Sequence, residues 1–331
     1  MKKLGLAIML SLIILGIIFS STVLSADAKV IRLGHIRAIE HPTHQAALKF
    51  KEAVEDLSDG KIEVRVFPNS QLGDPKEMFV QMQTGDLEMV YGGINTFAWK
   101  KGGEAFEITA IPFIYRSYEH MRKALMSDFF KPIIEKAEQE TGIKIVNMNG
   151  DTAPRGLTTS DRPVKTADDF KGLKIRTAAS PTVIRAMETL GAFPQQVPFA
   201  DLYMALKTGV VDAQENGAIV VASNSLYEVQ DYYMKTDYIR DIETFYMGMN
   251  TWNSLTEAER ALIFQATEIA GDYETELTQE WLDSVYETLE KEMTVIVPDN
   301  NSIREKLEGV FDDYEGDKWP EGLLEKIKNV K

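Results

Sequence analysis

The chain has 331 residues, 36 basic against 51 acidic side chains for a formal charge of −15, and no cysteine. Its length suits two domains, and the missing cysteine excludes disulfides, a thiol nucleophile, Cys-based metal sites and a lipid anchor on an N-terminal Cys. The acidic balance speaks against nucleic acid, which needs a basic footprint, and requires any anionic ligand to be held by local design against the overall field.

Lys2 and Lys3 precede an apolar run from Leu4 to Leu24, and Ala26-Asp27-Ala28 puts small residues at the A-x-A positions. Residues 1–28 therefore read as a signal peptide cleaved after Ala28. The alternative is a retained anchor, since the run matches the roughly 20 residues that span a bilayer. No later stretch resembles a membrane span, so the exported chain is expected in the periplasm.

Residues 30–35 predict a strand. Residues 42–58 predict a helix, with Ala47, Phe50, Val54 and Leu57 at helical spacing and Asp59-Gly60 as its stop. Ile62, Val64 and Val66 alternate with Glu63 and Arg65 in a half-buried strand. Pro75 to Thr84 is a short helix, and Leu87 to Tyr91 is the next strand. This rhythm is that of a sheet with helical crossovers. Helices over 117–125 and 128–140 lead to a strand from Lys144 to Met148 and a turn at Asn149-Gly150. A second alternating unit follows after about residue 150. It holds a capping box at Thr166 and Asp169, a strand at 173–176, a helix at 181–190, a short strand near 195–197, a helix at 200–208 and a strand at 210–213. Phe245, Tyr246, Met247 and Met249 read as strand core.

From 254 to 293 a capping box at Thr256 and Glu259 opens one uninterrupted helical pattern. Its early apolar face is Leu262, Ile263, Ala266, Ile269 and Ala270, and its later one Trp281, Val285, Leu289 and Met293. Sustained heptads are absent, so the pattern predicts a long helix that leans on two domains in turn. The acids from Glu287 to Glu292 read as a solvated face.

Arg176 closes the strand at 173–176, with Ser180 placed as N-cap and Pro181 at the first helical position. A cation at the carboxyl end of a strand, beside a helix N-terminus, stands where α/β sheets bind anions. A guanidinium fork can grip a carboxylate through two parallel hydrogen bonds. The bland alternative is an Arg paired with a neighbouring acid. His41 and His44, beside Glu40, lack further ligands at a recognised spacing and read as surface residues at a helix start, so no metal or cofactor is expected. There is no nucleophile elbow, phosphate loop or zinc helix. No carboxylate pair stands out as general acid and base, so an enzyme is not expected.

Gly172-Leu173-Lys174-Ile175-Arg176 and the run from Val197 through Asp212-Ala213-Gln214-Glu215-Asn216 carry a more specific signal. Gly60 to Val64, Phe67 to Gly73, Arg155 with Thr159 to Pro163, Tyr227 to Gln230 and Thr251 to Leu255 agree with it. In order and spacing these segments resemble the extracytoplasmic solute-binding proteins of TRAP transporters, the DctP-type family, over nearly the whole chain beyond the leader.

The resemblance implies an α/β two-domain periplasmic binding protein fold with crossing hinge strands and a long helix spanning both domains. The expected division is 29–152 plus 242–281 for one domain and 153–241 plus 282–331 for the other, with the ligand cleft between them. It also implies capture of a small organic acid by a monomer, delivery to the small and large membrane subunits, and uptake driven by an ion gradient. The alternative is a binding protein that presents the acid to a membrane receptor as a sensor.

Arg176 resembles the family arginine that pairs with the ligand carboxylate, and Asn216 the asparagine of a Gln-Glu-Asn-Pro motif that faces it. Here the motif reads Gln214-Glu215-Asn216-Gly217, and the missing proline loosens the expected backbone. Arg155 resembles a second cleft arginine and Phe199 an aromatic wall. His35 with Ile36, and Gly92-Gly93, stand where the family places specificity side chains; the glycines imply extra room or a backbone contact. Ala179 stands where some sialic-acid-binding members carry Asn. Tyr238 is expected to reach the ligand through its hydroxyl. Sugar acids fit this set, as do C4-dicarboxylates with Arg155 taking the second carboxylate.

Overall fold

A computed structural model describes residues 28–331; the predicted targeting segment, apart from Ala28, lies outside the described residues. Strands β1 (Lys29–Gly34), β2 (Ile62–Phe67), β3 (Met89–Gly93) and β4 (Ile143–Asp151) come first in the chain. Next come β5 (Leu157–Thr159), β6 (Lys174–Thr177), β7 (Phe193–Gln196), β8 (Ala213–Gln214) and β9 (Tyr232–Met234), and β10 (Ile242–Gly248) and β11 (Thr294–Ile296) close the series. They form two sheets, one in the order β2-β1-β3-β10-β4 and the other β11-β9-β5-β8-β6-β7.

In the first sheet β1 runs parallel to β2 and β3, as the crossover helix Pro42–Leu57 requires, while β10 is antiparallel to both its neighbours. The chain passes between the sheets three times, from β4 into β5, from β9 back into β10, and along the long helix from β10 into β11. β10 is buried along its whole length because both faces are covered. Phe245 and Met247 pack toward Phe50 and the long helix, and Tyr246 packs toward Phe79 and Phe97. Truncating a ring such as Phe245 in this setting costs roughly 3–5 kcal/mol.

The long helix runs Glu257–Glu292, about 54 Å at 1.5 Å per residue. Thr256 and Glu259 cap it reciprocally. Its first half buries Ile263, Ala266 and Ala270 against the first sheet's core. Its second half buries Leu289 and Met293 with Val211, Val221 and Tyr233 beside the second sheet. The change of apolar face in the sequence thus records a change of partner. The C-terminal residues also touch both units: Ile303 and Leu307 are buried near the helix Pro181–Thr189, while Arg116 donates to the carbonyls of Lys328 and Val330.

Three local expectations need correction. Asn149-Gly150 is no turn: β4 continues to Asp151, paired with β10 across a register shift at Asn149, and the buried Asn149 amide donates to the Thr267 carbonyl of the long helix at 3.1 Å. The strand placed at 210–213 shrinks to Ala213–Gln214, because Gly209 turns the chain at φ +70° and leaves Val210 exposed. His41 is not a surface residue. It is buried as the N-cap of the helix Pro42–Leu57, where Nδ1 accepts from the Thr43 amide at 3.1 Å.

Candidate functional site

A cavity of about 280 Å³ opens between the two sheets, at the carboxyl ends of β3 and β6. That is the small end of the roughly 300–1,000 Å³ usual for ligand pockets. Arg37, Gly92, Gly93, Asn95, Asp241 and Glu243 line it from the first sheet and the return crossing. Arg155, Arg176, Phe199, Glu215 and Asn216 line it from the outward crossing and the second sheet. Four of the residues singled out in the sequence, Arg155, Arg176, Phe199 and Asn216, therefore meet at one wall, with Gly93 opposite.

Arg176 is 4 % exposed. Its Nε donates to the Val197 carbonyl at 2.9 Å, which fixes the plane of the guanidinium. Its two terminal nitrogens have no protein acceptor among the described residues, and no carboxylate lies within ion-pair distance there. Burial pushes the guanidinium down to about 10, opposed by the charge of Glu215 and reinforced by Arg155 and Arg37. The Phe199 ring centroid lies 5.9 Å from its Cζ, so the aromatic wall also flanks the cation.

The other two cavity arginines are occupied. Arg155 grips Glu215 through Nε and Nη2 at 2.8 and 2.7 Å. Burial opposes the Arg155 charge, but Glu215 and Tyr238 outweigh it and hold its pKa above the ordinary value. Arg37 donates twice to Oε1 of Glu243, at 3.0 and 2.8 Å, and Glu243 Oε2 is left buried without a donor among the described residues.

Asn216 is held on three sides. Its backbone N–H and Nδ2 both donate to Gln214 Oε1, at 2.8 and 2.7 Å, and its Oδ1 accepts from Arg155 at 3.4 Å. One amide N–H remains for the cavity. Gly217 does not loosen this arrangement. A Cβ there would sit 2.6 Å from the Pro154 carbonyl oxygen, so glycine is what lets the outward crossing pack against the Asn216 turn.

Three expectations are relocated. His35 is fully buried behind the wall, with Nε2 3.1 Å from His44 Nδ1 and Nδ1 accepting from the Arg37 amide. Burial, then His44 and Arg37, push it down to about 3, so it is a neutral ring there. The cavity side chains from that strand end are Ile36, named with His35 in the sequence, and Arg37. Tyr238 does not line the cavity, and its hydroxyl donates to Glu215 Oε2 at 2.6 Å. The space freed at Gly93 is filled by protein, since a Cβ there would lie 2.1 Å from Asp241 Oδ2. The N-terminus of the helix Pro181–Thr189 is likewise occupied: Glu107 Oε2 accepts from Ser180 Oγ and the Thr182 amide, both at 3.1 Å.

Arg37, Asp241 and Glu243 were not singled out in the sequence. Glu243 carried a usable signal, as a lone acid inside the apolar run Ile242 to Met247 that must find a partner if buried. Among the described residues no group of three or more His, Cys, Asp or Glu is arranged to hold a metal ion, and no helix is long and apolar enough to cross a membrane.

Residues 33–317 match the family model of bacterial extracellular solute-binding protein, family 7. Solute-binding protein RD1_1052 of Roseobacter denitrificans is 30% identical over 263 residues, 80% of this chain and 79% of that one. Its crystal structure with bound L-galactonate superposes with a TM-score of 0.83 at 27% identity, covering 91% of this chain and 99% of that one. The C4-dicarboxylate-binding periplasmic protein DctP of Rhodobacter capsulatus is 30% identical over 282 residues, 82% of this chain and 83% of that one. The 2,3-diketo-L-gulonate-binding periplasmic protein YiaO of Escherichia coli is 30% identical over 285 residues, 85% of this chain and 84% of that one. With two sheets joined by crossing strands, a bridging long helix and a family match spanning both, the chain belongs to the DctP-type family of extracellular solute-binding proteins that serve TRAP transporters.

Proposed function

We propose that this protein captures a small organic acid in the cleft between its two sheets, with the ligand carboxylate on Arg176. The observation that carries this reading is a buried guanidinium fixed by Val197 whose terminal nitrogens lack protein acceptors among the described residues. A buried cation without a partner is costly, and an anionic ligand is what relieves it. Asn216 adds an amide donor, Phe199 a wall, and the charge on Arg155 is held beside them by Glu215. Closing the cleft excludes water and strengthens each charge-assisted bond. Residues 29–152 with 242–281 form one domain and 153–241 with 282–331 the other, hinged at the two crossings and the long helix. Residues 1–28 direct export to the periplasm, where the loaded protein hands the acid to the membrane subunits. Relatives named for a diketogulonate and a C4-dicarboxylate, and one crystallised with L-galactonate, set the range of acids to try.

The test is a thermal-shift panel of aldonates, uronates, C4-dicarboxylates and keto acids on the purified protein. At 100 times its dissociation constant a cognate acid stabilises by about 2.7 kcal/mol. An acid that shifts the melting temperature while its neutral polyol analogue does not supports the reading. A shift by neutral polyols alone removes the carboxylate from it.

A further inference from the structure

The charges that line the cavity are arranged unequally at its two ends. At the Arg176 end one guanidinium awaits an anion, whereas Arg155 is already saturated by Glu215, which itself also takes the Tyr238 hydroxyl. On the facing wall the first sheet and the return crossing offer acceptors. Asp241 is 4 % exposed and uses Oδ1 for the amides of Ile242 and Asn95, at 3.0 and 3.4 Å. Its Oδ2 has no donor among the described residues and makes no salt bridge there. Beside it Glu243 Oε2 is buried and unpartnered. The Asp241 carboxylate occupies the space beside Gly93, with Oδ2 2.1 Å from where a Cβ would stand.

From this juxtaposition we infer that Asp241 is a specificity-determining residue, which selects a monocarboxylate carrying hydroxyl groups at its far end and rejects a second carboxylate. The inference rests on the reading that Arg176 holds the first carboxylate. A carboxylate oxygen without a donor accepts hydroxyl hydrogens directly, and leaving it buried and unsatisfied against the wrong ligand is costly. A dicarboxylate would set its second charge against Asp241 and Glu243 with Arg37 and Arg155 both already engaged. An ammonium at that end would instead face the Arg37 guanidinium. Burial, then the neighbouring Glu243, push the Asp241 carboxyl up to about 6 against the opposing charges of Arg155 and Arg37.

The experiment compares matched acids by calorimetry on the full secreted chain: D-gluconate with D-glucarate, and D-galactonate with galactarate, which differ only in a far-end hydroxymethyl oxidised to carboxylate. Wild type is expected to bind the aldonate of at least one pair ten or more times more tightly than the aldarate. Asp241→Asn should narrow that ratio at least tenfold while its melting temperature stays near wild type. Glu215→Gln, which releases Arg155, should gain aldarate affinity, a change that misfolding cannot mimic. Equal or tighter aldarate binding by wild type overturns the inference, as does an unchanged ratio in Asp241→Asn. Tighter binding of 6-aminohexanoate than of either aldonate overturns the hydroxyl assignment. Loss of both acids in Arg176→Met with a normal ratio in Asp241→Asn sinks the Asp241 inference alone. Retention of both acids in Arg176→Met sinks the Arg176 reading.

Discussion

Replacing Arg176 with Met should have opposite effects on the empty and the loaded protein. Met keeps an apolar stem in the wall but removes the charge and the fork. The empty wild type holds a guanidinium with a single protein acceptor, the Val197 carbonyl, among the described residues. Burial pushes its pKa down to about 10, which is the mark of a cation kept in an unfavourable place. Removing it should leave the empty protein as stable as wild type or more so. The loaded protein loses two charge-assisted hydrogen bonds and strands a carboxylate, a loss of about 2–5 kcal/mol, or roughly 30-fold to several thousand-fold in affinity. At a ligand concentration 100 times the wild-type dissociation constant, a 100-fold weaker variant keeps only about 0.4 of about 2.7 kcal/mol of ligand stabilisation. With about 2 °C for each kcal/mol in a large domain, a shift of about 5 °C falls below about 1 °C. The assay is differential scanning fluorimetry of both proteins with and without the acid that scores highest on the wild type. If Arg176→Met keeps its affinity within about threefold, or if the empty variant melts several degrees lower, Arg176 is a structural residue and the reasoning is refuted.

Tyr238→Phe removes a hydroxyl that serves Glu215, so it should cost about 1–2 kcal/mol of stability and leave ligand affinity within about threefold; a tenfold affinity loss at unchanged melting temperature would put the hydroxyl on the ligand. Gly217→Ala drives a Cβ to 2.6 Å from the Pro154 carbonyl and should destabilise by about 1–3 kcal/mol in urea denaturation; a neutral outcome would mean that the crossing yields easily. Glu274, buried in the long helix between Thr43 and Tyr91, has its carboxyl raised well above the usual range by burial and then by Glu243. The folded state thus holds a proton that the unfolded chain releases above its ordinary carboxylate pKa, so this group's contribution weakens as pH rises. Glu274→Gln, which cannot ionise, should gain stability relative to wild type between pH 5 and pH 9; a constant difference across that range would contradict the assignment.

The elements were legible because their signals are local. The capping boxes at Thr256 and at Thr166 and the two apolar faces of the long helix are read within one or two turns, and the structure keeps them apart from Ile269, which is exposed. Asn149-Gly150 misled because its turn propensity is also local, whereas the contacts that override it are not: β10 pairs with Gly150, and Thr267 takes the Asn149 amide. The site followed the same divide. Arg176 on β6, with Arg155, Phe199 and Asn216 from segments beside the second sheet, all singled out through the family resemblance, line one cavity.

What no stretch of sequence displays is which charges cancel. Arg155 and Glu215 are separated by 60 residues, Arg37 and Glu243 by 206, and Glu107 reaches the helix at Thr182 from 75 residues away. Read along the chain, Arg37, Arg155 and Arg176 are equivalent cations, and the helix at Pro181 is an open anion site. Folding satisfies two of the arginines and the helix end with the protein's own acids. What is left over among the described residues is a difference: one guanidinium, Arg176, without an anion on one wall of the cleft, and carboxylate oxygens of Asp241 and Glu243 without donors on the facing wall. Because each is defined by a partner that is missing, neither could be a motif. Both follow only from pairings that the tertiary structure completes.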